Sequence, residues 1–258
     1  MAKIIFLGTS GAVASEKRDN TSFLIQTDEL ILIDTPGSLV SKLAKIKINF
    51  YKISKIFFTH SHPDHLYGIV SFLHSQYKLN NKVDIYGSLK VIKLIKNLRK
   101  IFSLENTKLY PKITFHTLNQ PNFTFYASRD LSVSFFRAKH SPDAVGFKIF
   151  FKNERKTVII SGDSAFNNQL IKEAQNCDFL IHDCFCPYRF FKKYPQLYKK
   201  HTSSLQLGKI ASLCKTKTLI PIHFSSELKY NFLELIREIK RNYPGKLIVP
   251  KDLMSLNI

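Results

Sequence analysis

The stretch Thr59-His60-Ser61-His62-Pro63-Asp64-His65 places three imidazoles and a carboxylate within one short turn of chain. It follows the apolar run Ile53–Phe58, which reads as a strand, so His60 and His62 leave extended chain on the same side. Pro63 disfavours helical dihedrals at His62 and suits the first turn of a helix. Asp64 and His65 then open a helix predicted over about Asp64–Tyr77. The four side chains converge between strand and helix. Imidazole and carboxylate are the ligand set of zinc, and also of iron or manganese. A lone histidine would read as an ordinary core or surface residue, and Asp64 alone as a helix cap. The complete H-x-H-x-D-H run does not.

Further ligands stand at the ends of later strands. His140 follows the predicted strand Leu131–Phe136, Asp163 follows Thr157–Ile160, and His223 follows Thr218–Ile222. A polar residue after a strand is ordinary, so each is weak by itself. Together they supply what the first motif lacks for two metals, and a carboxylate such as Asp163 can bridge two ions. Around these positions, short apolar runs alternate with helical patterns. Strands are predicted at Ile4–Leu7, Ser22–Gln26, Leu30–Ile33 and Val83–Tyr86, with helices near Ser38–Ile46 and Val91–Phe102. The second half repeats the style. Its strands Phe123–Tyr126, Leu131–Phe136, Val145–Phe151 and Thr157–Ile160 form a meander, followed by Phe179–Ile181 and Thr218–Ile222 among helices near 165–175, 203–213 and 227–241. Two sheets packed face to face with helices outside satisfy that pattern.

Composition bounds the answer. A length of 258 residues with 44% hydrophobic and 22% charged side chains suits one folded domain over 1–258 and excludes disorder. Four cysteines do not make a disulfide-stapled secreted module. No apolar run reaches the roughly 18–20 residues a membrane helix needs. A cytoplasmic protein without a membrane partner is the expectation. The 39 basic and 19 acidic residues leave a net charge of +20. Such a surface attracts polyanions, although AT-rich coding would also enrich lysine in this way.

The chain resembles the metallo-β-lactamase superfamily, and within it the ribonuclease Z-like and cyclic-phosphodiesterase branch. The resemblance runs from Phe6-Leu7-Gly8-Thr9 and Asn20-Thr21-Ser22 through Leu32-Ile33-Asp34, the H-x-H-x-D-H run and Ser161-Gly162-Asp163. It ends at His201-Thr202-Ser203 and His223-Phe224-Ser225-Ser226. It implies an α/β fold, the four-layer αββα sandwich. It also implies that His60, His62 and His140 hold one divalent metal, that Asp64, His65 and His223 hold a second, and that Asp163 bridges them. Zinc is the expected metal, with manganese or iron as alternatives. By the same resemblance Asp34 supports the first motif. Asp183 is the branch's acidic residue after a strand, and His201 its histidine that acts on the leaving oxygen. A carboxylate that orients an imidazole raises its basicity and fixes its tautomer.

The expected activity is metal-dependent hydrolysis of phosphodiesters, with a water activated by two metals and catalytic roles for Asp64, Asp183 and His201. Ribonuclease Z usually carries a long arm between its third-motif histidine and its bridging aspartate. Here the interval from His140 to Asp163 holds only a predicted hairpin, which favours small cyclic or nucleotide phosphodiesters. The rivals are a ribonuclease Z-like endoribonuclease and a lactone or thioester metallohydrolase. Expected partners are a phosphodiester substrate, RNA included, and a second copy in a homodimer. Two basic stretches accompany the site. The segment Cys184–Lys200 interleaves aromatics with cations, and the helix from Lys90 to Lys100 sets its lysines opposite an apolar face.

Overall fold

Apolar runs bounded by glycine, asparagine and proline become strands, and the longer amphipathic stretches become helices. The computed structural model describes residues 2–258. In chain order the first elements are β1 (Lys3–Gly8), β2 (Ser22–Gln26), β3 (Leu30–Ile33), α1 (Leu39–Lys45), β4 (Ile53–Phe57), α2 (Pro63–Leu66), α3 (Gly68–His74), β5 (Lys82–Gly87), α4 (Leu89–Ile101) and β6 (Lys112–Thr117). Next come β7 (Thr124–Ala127), β8 (Leu131–Arg137), β9 (Val145–Phe151), β10 (Lys156–Ile160), α5 (Asn168–Glu173), β11 (Phe179–Asp183) and α6 (Tyr188–Lys193). The last are α7 (Ser204–Leu213), β12 (Thr218–Ile222), α8 (Phe232–Lys240), β13 (Lys246–Leu247) and β14 (Ser255–Asn257). They divide into two compact units. The first comprises residues up to Ala12 with Glu16–Asn119 and Lys251–Ile258, and the second Gln120–Pro250 with Val13–Ser15.

The first unit holds a seven-stranded sheet in the order β14-β1-β2-β3-β4-β5-β6. Strands β1 to β3 pair antiparallel, and β3 to β6 are parallel. The helices cover one face, where Leu24, Leu32, Ile56 and Ile85 meet Leu43, Phe72, Val91 and Ile95. Each such fully buried side chain contributes about 1.5–3 kcal/mol. The chain returns late to close this unit. Leu253 N donates to Phe6 O at 2.6 Å and Phe6 N to Met254 O at 2.9 Å, which sets β14 beside β1. Asp252 accepts from Thr9 Oγ1 at 2.8 Å and from Asp19 N at 2.7 Å, and it pairs with the buried Lys42.

The second unit repeats the plan in the order β13-β12-β11-β10-β9-β8-β7. Strands β7 to β10 form the antiparallel meander, and β10 to β13 are parallel. Leu170, Leu207, Ile210, Leu235 and Ile239 from the helices pack on Leu180 and Leu219. Parallel strands put their C-terminal ends on one edge of the sheet, where binding groups of α/β sheets gather.

Several boundaries differ from the sequence expectation. The helix expected over 64–77 is two helices, because Gly68 N turns to Thr35 O at 2.7 Å and its α-carbon lies so close to Pro36 O that a Cβ would collide. The helix expected from Glu227 starts only at Phe232, where Asn231 Oδ1 accepts from Leu233 N at 2.8 Å. The expected 165–175 helix shortens to α5 behind its cap Asn167. The aromatic and basic segment Cys184–Lys200 contains α6 and a 3₁₀ turn at Pro195–Lys199.

Candidate active site

The first unit builds one cluster from the ends of β3 and β4. Asp34 follows β3 in a left-handed conformation, φ 60°, which aspartate tolerates better than most residues. Its Oδ1 accepts from Thr59 N at 2.8 Å and its Oδ2 from Thr59 Oγ1 at 2.7 Å. Oδ2 also lies 2.7 Å from His65 Nδ1. With the carboxylate ionised, Nδ1 carries the proton and Nε2 keeps its lone pair for a ligand. Burial pushes the Asp34 carboxyl up, while His65 and the Thr59 bonds pull it down. The backbone of His65 is fixed as well, since its carbonyl accepts from Thr35 N at 2.7 Å.

Around His65 the other members of the motif close in. The His60 ring centroid lies 4.3 Å from that of His65 and 4.5 Å from that of His62. Asp64 Oδ2 stands 3.4 Å from His65 Nε2. Two ligands of a tetrahedral zinc lie about 3.4 Å apart, given bonds near 2.1 Å. His60 and His65 are fully buried, and His62 and Asp64 are half-buried.

The second unit builds another cluster from the ends of β8, β10, β11 and β12. His140 Nδ1 lies 2.9 Å from Lys200 O. A carbonyl only accepts, so Nδ1 carries the proton and Nε2 the lone pair. That nitrogen lies 3.7 Å from Asp163 Oδ2, and His223 Nε2 lies 3.0 Å from the same oxygen. Burial lowers the pKa of His140, with the Asp163 carboxylate opposing, so burial favours the neutral ring that binds metal. His223 adopts φ 62° and Gly162, just before Asp163, φ 60°. Glycine takes that conformation freely, whereas His223 is strained in it, and strained left-handed residues collect at functional sites.

Asp183, the last residue of β11, is fully buried. Its Oδ2 lies 2.9 Å from His201 Nδ1 and accepts from Ser164 N at 3.2 Å. Its Oδ1 accepts no hydrogen bond among the described residues. Two rings lie against His201, and they are themselves 6.0 Å apart. Phe185 stacks on it at 4.4 Å and 17°, and His223 at 5.3 Å and 14°. The ligand atoms of His140, Asp163 and His201 all lie within 4.8 Å of one another, as do those of Asp183, His201 and His223. His60, His62, Asp64, His65 and Asp34 thus meet in the first unit, and His140, Asp163, Asp183, His201 and His223 in the second. Sequence reasoning missed Thr59, Phe185 and Ser164, which steer these side chains. Only their position beside a motif residue signalled them.

The sequence profile of the family described as Anti-Pycsar protein Apyc1 matches residues 2–229. The chain belongs to the Anti-Pycsar protein Apyc1 family. Beyond this Apyc1 match, the chain is 23% identical over 300 residues to a ribonuclease Z from Picrophilus torridus, covering 99% of this chain and 96% of that protein. Among solved structures, the metallo-β-lactamase fold protein YhfI from Bacillus subtilis superposes with a TM-score of 0.82 at 20% identity, over 99% of this chain and 98% of the other. Human tRNase Z, short form, gives 0.81 at 21%, over 99% of both. This member of the Apyc1 family therefore has the metallo-β-lactamase fold of α/β class, and it is a metal-dependent hydrolase. The ribonuclease Z-like resemblance read from the motifs holds over the whole chain. No helix among the described residues is long and apolar enough to cross a membrane.

The residues fit a divalent cation. Their donors are imidazole nitrogens and carboxylate oxygens, the rings of His65 and His140 are held in the tautomer that exposes Nε2, and neighbouring donors stand 3.0–3.7 Å apart.

Proposed function

We propose that this protein hydrolyses phosphodiesters, with small cyclic or nucleotide phosphodiesters as its substrates, and that His201 donates the proton to the leaving oxygen. The observation that carries this reading is the Asp183–His201 pair, held at 2.9 Å beside His140, Asp163 and His223. By the ligand assignment that the sequence resemblance implies, His60, His62 and His140 hold one divalent cation, Asp64, His65 and His223 a second, and Asp163 both. Such ions lower the pKa of water toward neutrality and offset charge on phosphate oxygens.

The chain's own groups do the rest. Asp183 fixes the proton on His201 Nδ1, so the ring presents Nε2 to substrate as the acid or base. The stack with Phe185 holds the ring plane, and the Lys200 carbonyl keeps His140 in its ligand tautomer. The interval between His140 and Asp163 is filled by β9 and β10, paired in register from Phe147↔Ile160 to Phe151↔Lys156. That hairpin is a closed ladder without a long projecting arm, which supports a small substrate.

Replacing His201 by Ala tests the acid role. Turnover of esters with poor leaving groups, such as ribose oxygens, should fall roughly 10²–10⁴-fold, the scale of general acid catalysis. Nitrophenyl esters, whose leaving group needs no proton, should hardly change. Equal loss on both classes would make His201 a ligand or a structural residue. A second reading, cleavage of RNA in the manner of ribonuclease Z, is favoured by the names of the curated relatives and by the net charge of +20. A panel of cyclic nucleotides, short RNA and unprocessed tRNA separates the two.

A further inference from the structure

Beside the second cluster lies a cleft of about 340 Å³ lined by Asn122, Arg137, Lys139, Asn167 and Gln169, with no carboxylate in its walls. Its floor is tied to the cluster. Lys139 N donates to Ser164 Oγ at 3.1 Å, Ala165 N donates to Lys139 O at 2.9 Å, and Ser164 N donates to Asp183. Lys139 is also the residue before His140. The strand end that delivers His140 and the loop that delivers Asp163 thus present this cleft with their other residues.

The polar groups of the cleft divide into two kinds. Arg137 ends β8 and Lys139 lies in the bend just after it; both are exposed, and neither has an ion-pair partner among the described residues. Arg137 stands 6.0 Å from the Phe135 ring, which steadies its guanidinium. The amides form a frame. Asn167 Nδ2 donates to Arg137 O at 2.8 Å, its Oδ1 accepts from Gln169 N at 2.9 Å, and Gln169 Nε2 donates to Asn122 Oδ1 at 3.1 Å. Those bonds, with a longer one from Gln169 Nε2 to Glu173 Oε1 at 3.4 Å, leave Asn122 Nδ2 as a donor and Gln169 Oε1 as an acceptor. The edge of adenine offers the complementary acceptor and donor. Two exposed aromatic rings adjoin the frame in sequence, Phe123 next to Asn122 and Phe166 next to Asn167, with exposures of 67% and 38%. Two unpaired cations, a donor–acceptor pair and exposed rings are together what a nucleotide needs for its phosphate, its base edge and its base face.

We propose that this cleft is a nucleotide-binding site separate from the metal ligands, with Arg137 and Lys139 on the phosphate and Asn122 and Gln169 on the base. The same chemistry has two sources, a free mononucleotide or the next nucleotide of a polymer whose scissile phosphate lies at the cluster.

Binding of adenosine 5′-monophosphate to the metal-loaded protein, read by calorimetry, tests the site independently of any hydrolysis. In the variant Arg137→Glu/Lys139→Glu the affinity should drop roughly tenfold or more, since two charge-assisted contacts are reversed. Turnover of bis-p-nitrophenyl phosphate and its inhibition by inorganic phosphate, which needs only the metals, should stay as in the wild type. If kcat/KM for hexa-adenylate falls in parallel, the cleft serves the next nucleotide of a chain. If hexa-adenylate turnover is unchanged, the cleft serves a free nucleotide. The milder Arg137→Gln/Lys139→Gln variant gives the answer should charge reversal impair folding. Unchanged affinity for the mononucleotide in both variants overturns the proposal. A wild-type protein inert toward every phosphodiester would sink the hydrolytic reading, while the titration would still decide the cleft.

Discussion

The two clusters reach similar chemistry by opposite routes. In the first unit four of the five groups come from one turn, His60 to His65, and a single acid, Asp34, aligns it through Thr59 and His65. In the second unit five groups come from the ends of four strands and the start of a helix, between His140 and His223. A local turn is fixed by its own dihedrals and one buried carboxylate. A dispersed cluster depends on strand register, since β11 and β12 must pair Asp183 with Ile222 for His223 to follow beside it. The first should therefore tolerate loosening of the sheet better than the second.

Removing the carboxylate at the centre of the dispersed cluster is the most severe test. Asp163→Ala should abolish activity and lose close to two metals per chain by elemental analysis, whereas His62→Ala should lose fewer. Full metal content in the Asp163 variant would remove that residue from the site. Next in size is the support of the local cluster. Asn at position 34 keeps the left-handed backbone but has one acceptor oxygen, so it cannot serve Thr59 N as well as Thr59 Oγ1 and His65. Asp34→Asn should thus weaken metal affinity about 10–100-fold, measured by chelator competition.

Acid should separate the units more gently. His182 lies on the helix-packed side of β11, opposite Asp183, fully buried and without a hydrogen-bonded ring nitrogen among the described residues. Burial drives its pKa down to about 3, against roughly 6.5 when unfolded. Below pH 6.5 the unfolded chain takes up a proton that the native ring refuses, so stability falls as pH drops toward 3. The slope is at most about 1.4 kcal/mol per pH unit. His182→Leu should flatten that part of the curve of Tm against pH, and an unchanged curve would assign the acid loss elsewhere.

The smallest effect is expected far from either cluster. On α4, Lys93, Lys96 and Lys100 are exposed, and Lys96 lies over Phe115 at 5.1 Å. Their replacement by Ala should leave turnover of the best substrate nearly unchanged. Lys192→Ala with Lys193→Ala should raise KM, because that helix is tethered between Asp183 and His201. A large loss only in the α4 variant would favour a long RNA, whose binding rests on many phosphate contacts.

The sequence carried the site further than it carried the fold's margins. The H-x-H-x-D-H turn is local, so spacing alone exposes it. His140, Asp163 and His223 stood out as strand-end residues, while the pairing of Asp183 with His201 came from the family resemblance. The meander from Phe123 to Ile160 was legible because each strand is apolar and bounded by turn residues. Strands β6, β13 and β14 were not. They are short or mixed in polarity, and their partners β5, β12 and β1 give them a register that no local pattern encodes. The break between α2 and α3 was hidden for a similar reason, since it depends on Thr35 and Pro36, far back in the chain. The aromatics of Cys184–Lys200 proved partly structural. Phe191 is buried, and Arg189 pairs with Glu234 at 2.8 Å.

The return of residues 251–258 to the first unit imposes an order on synthesis. During translation β1 emerges more than two hundred residues before its neighbour β14 and the Asp252 anchor for Lys42, Thr9 and Asp19. Until then Lys42 has only the Leu7 carbonyl and the more distant Asp19 carboxylate, 3.6 Å away, for its buried charge, and the outer edge of β1 stays open. The nascent chain must therefore hold the His60–His65 turn in an unfinished sheet until residues 251–258 follow the second unit and close it.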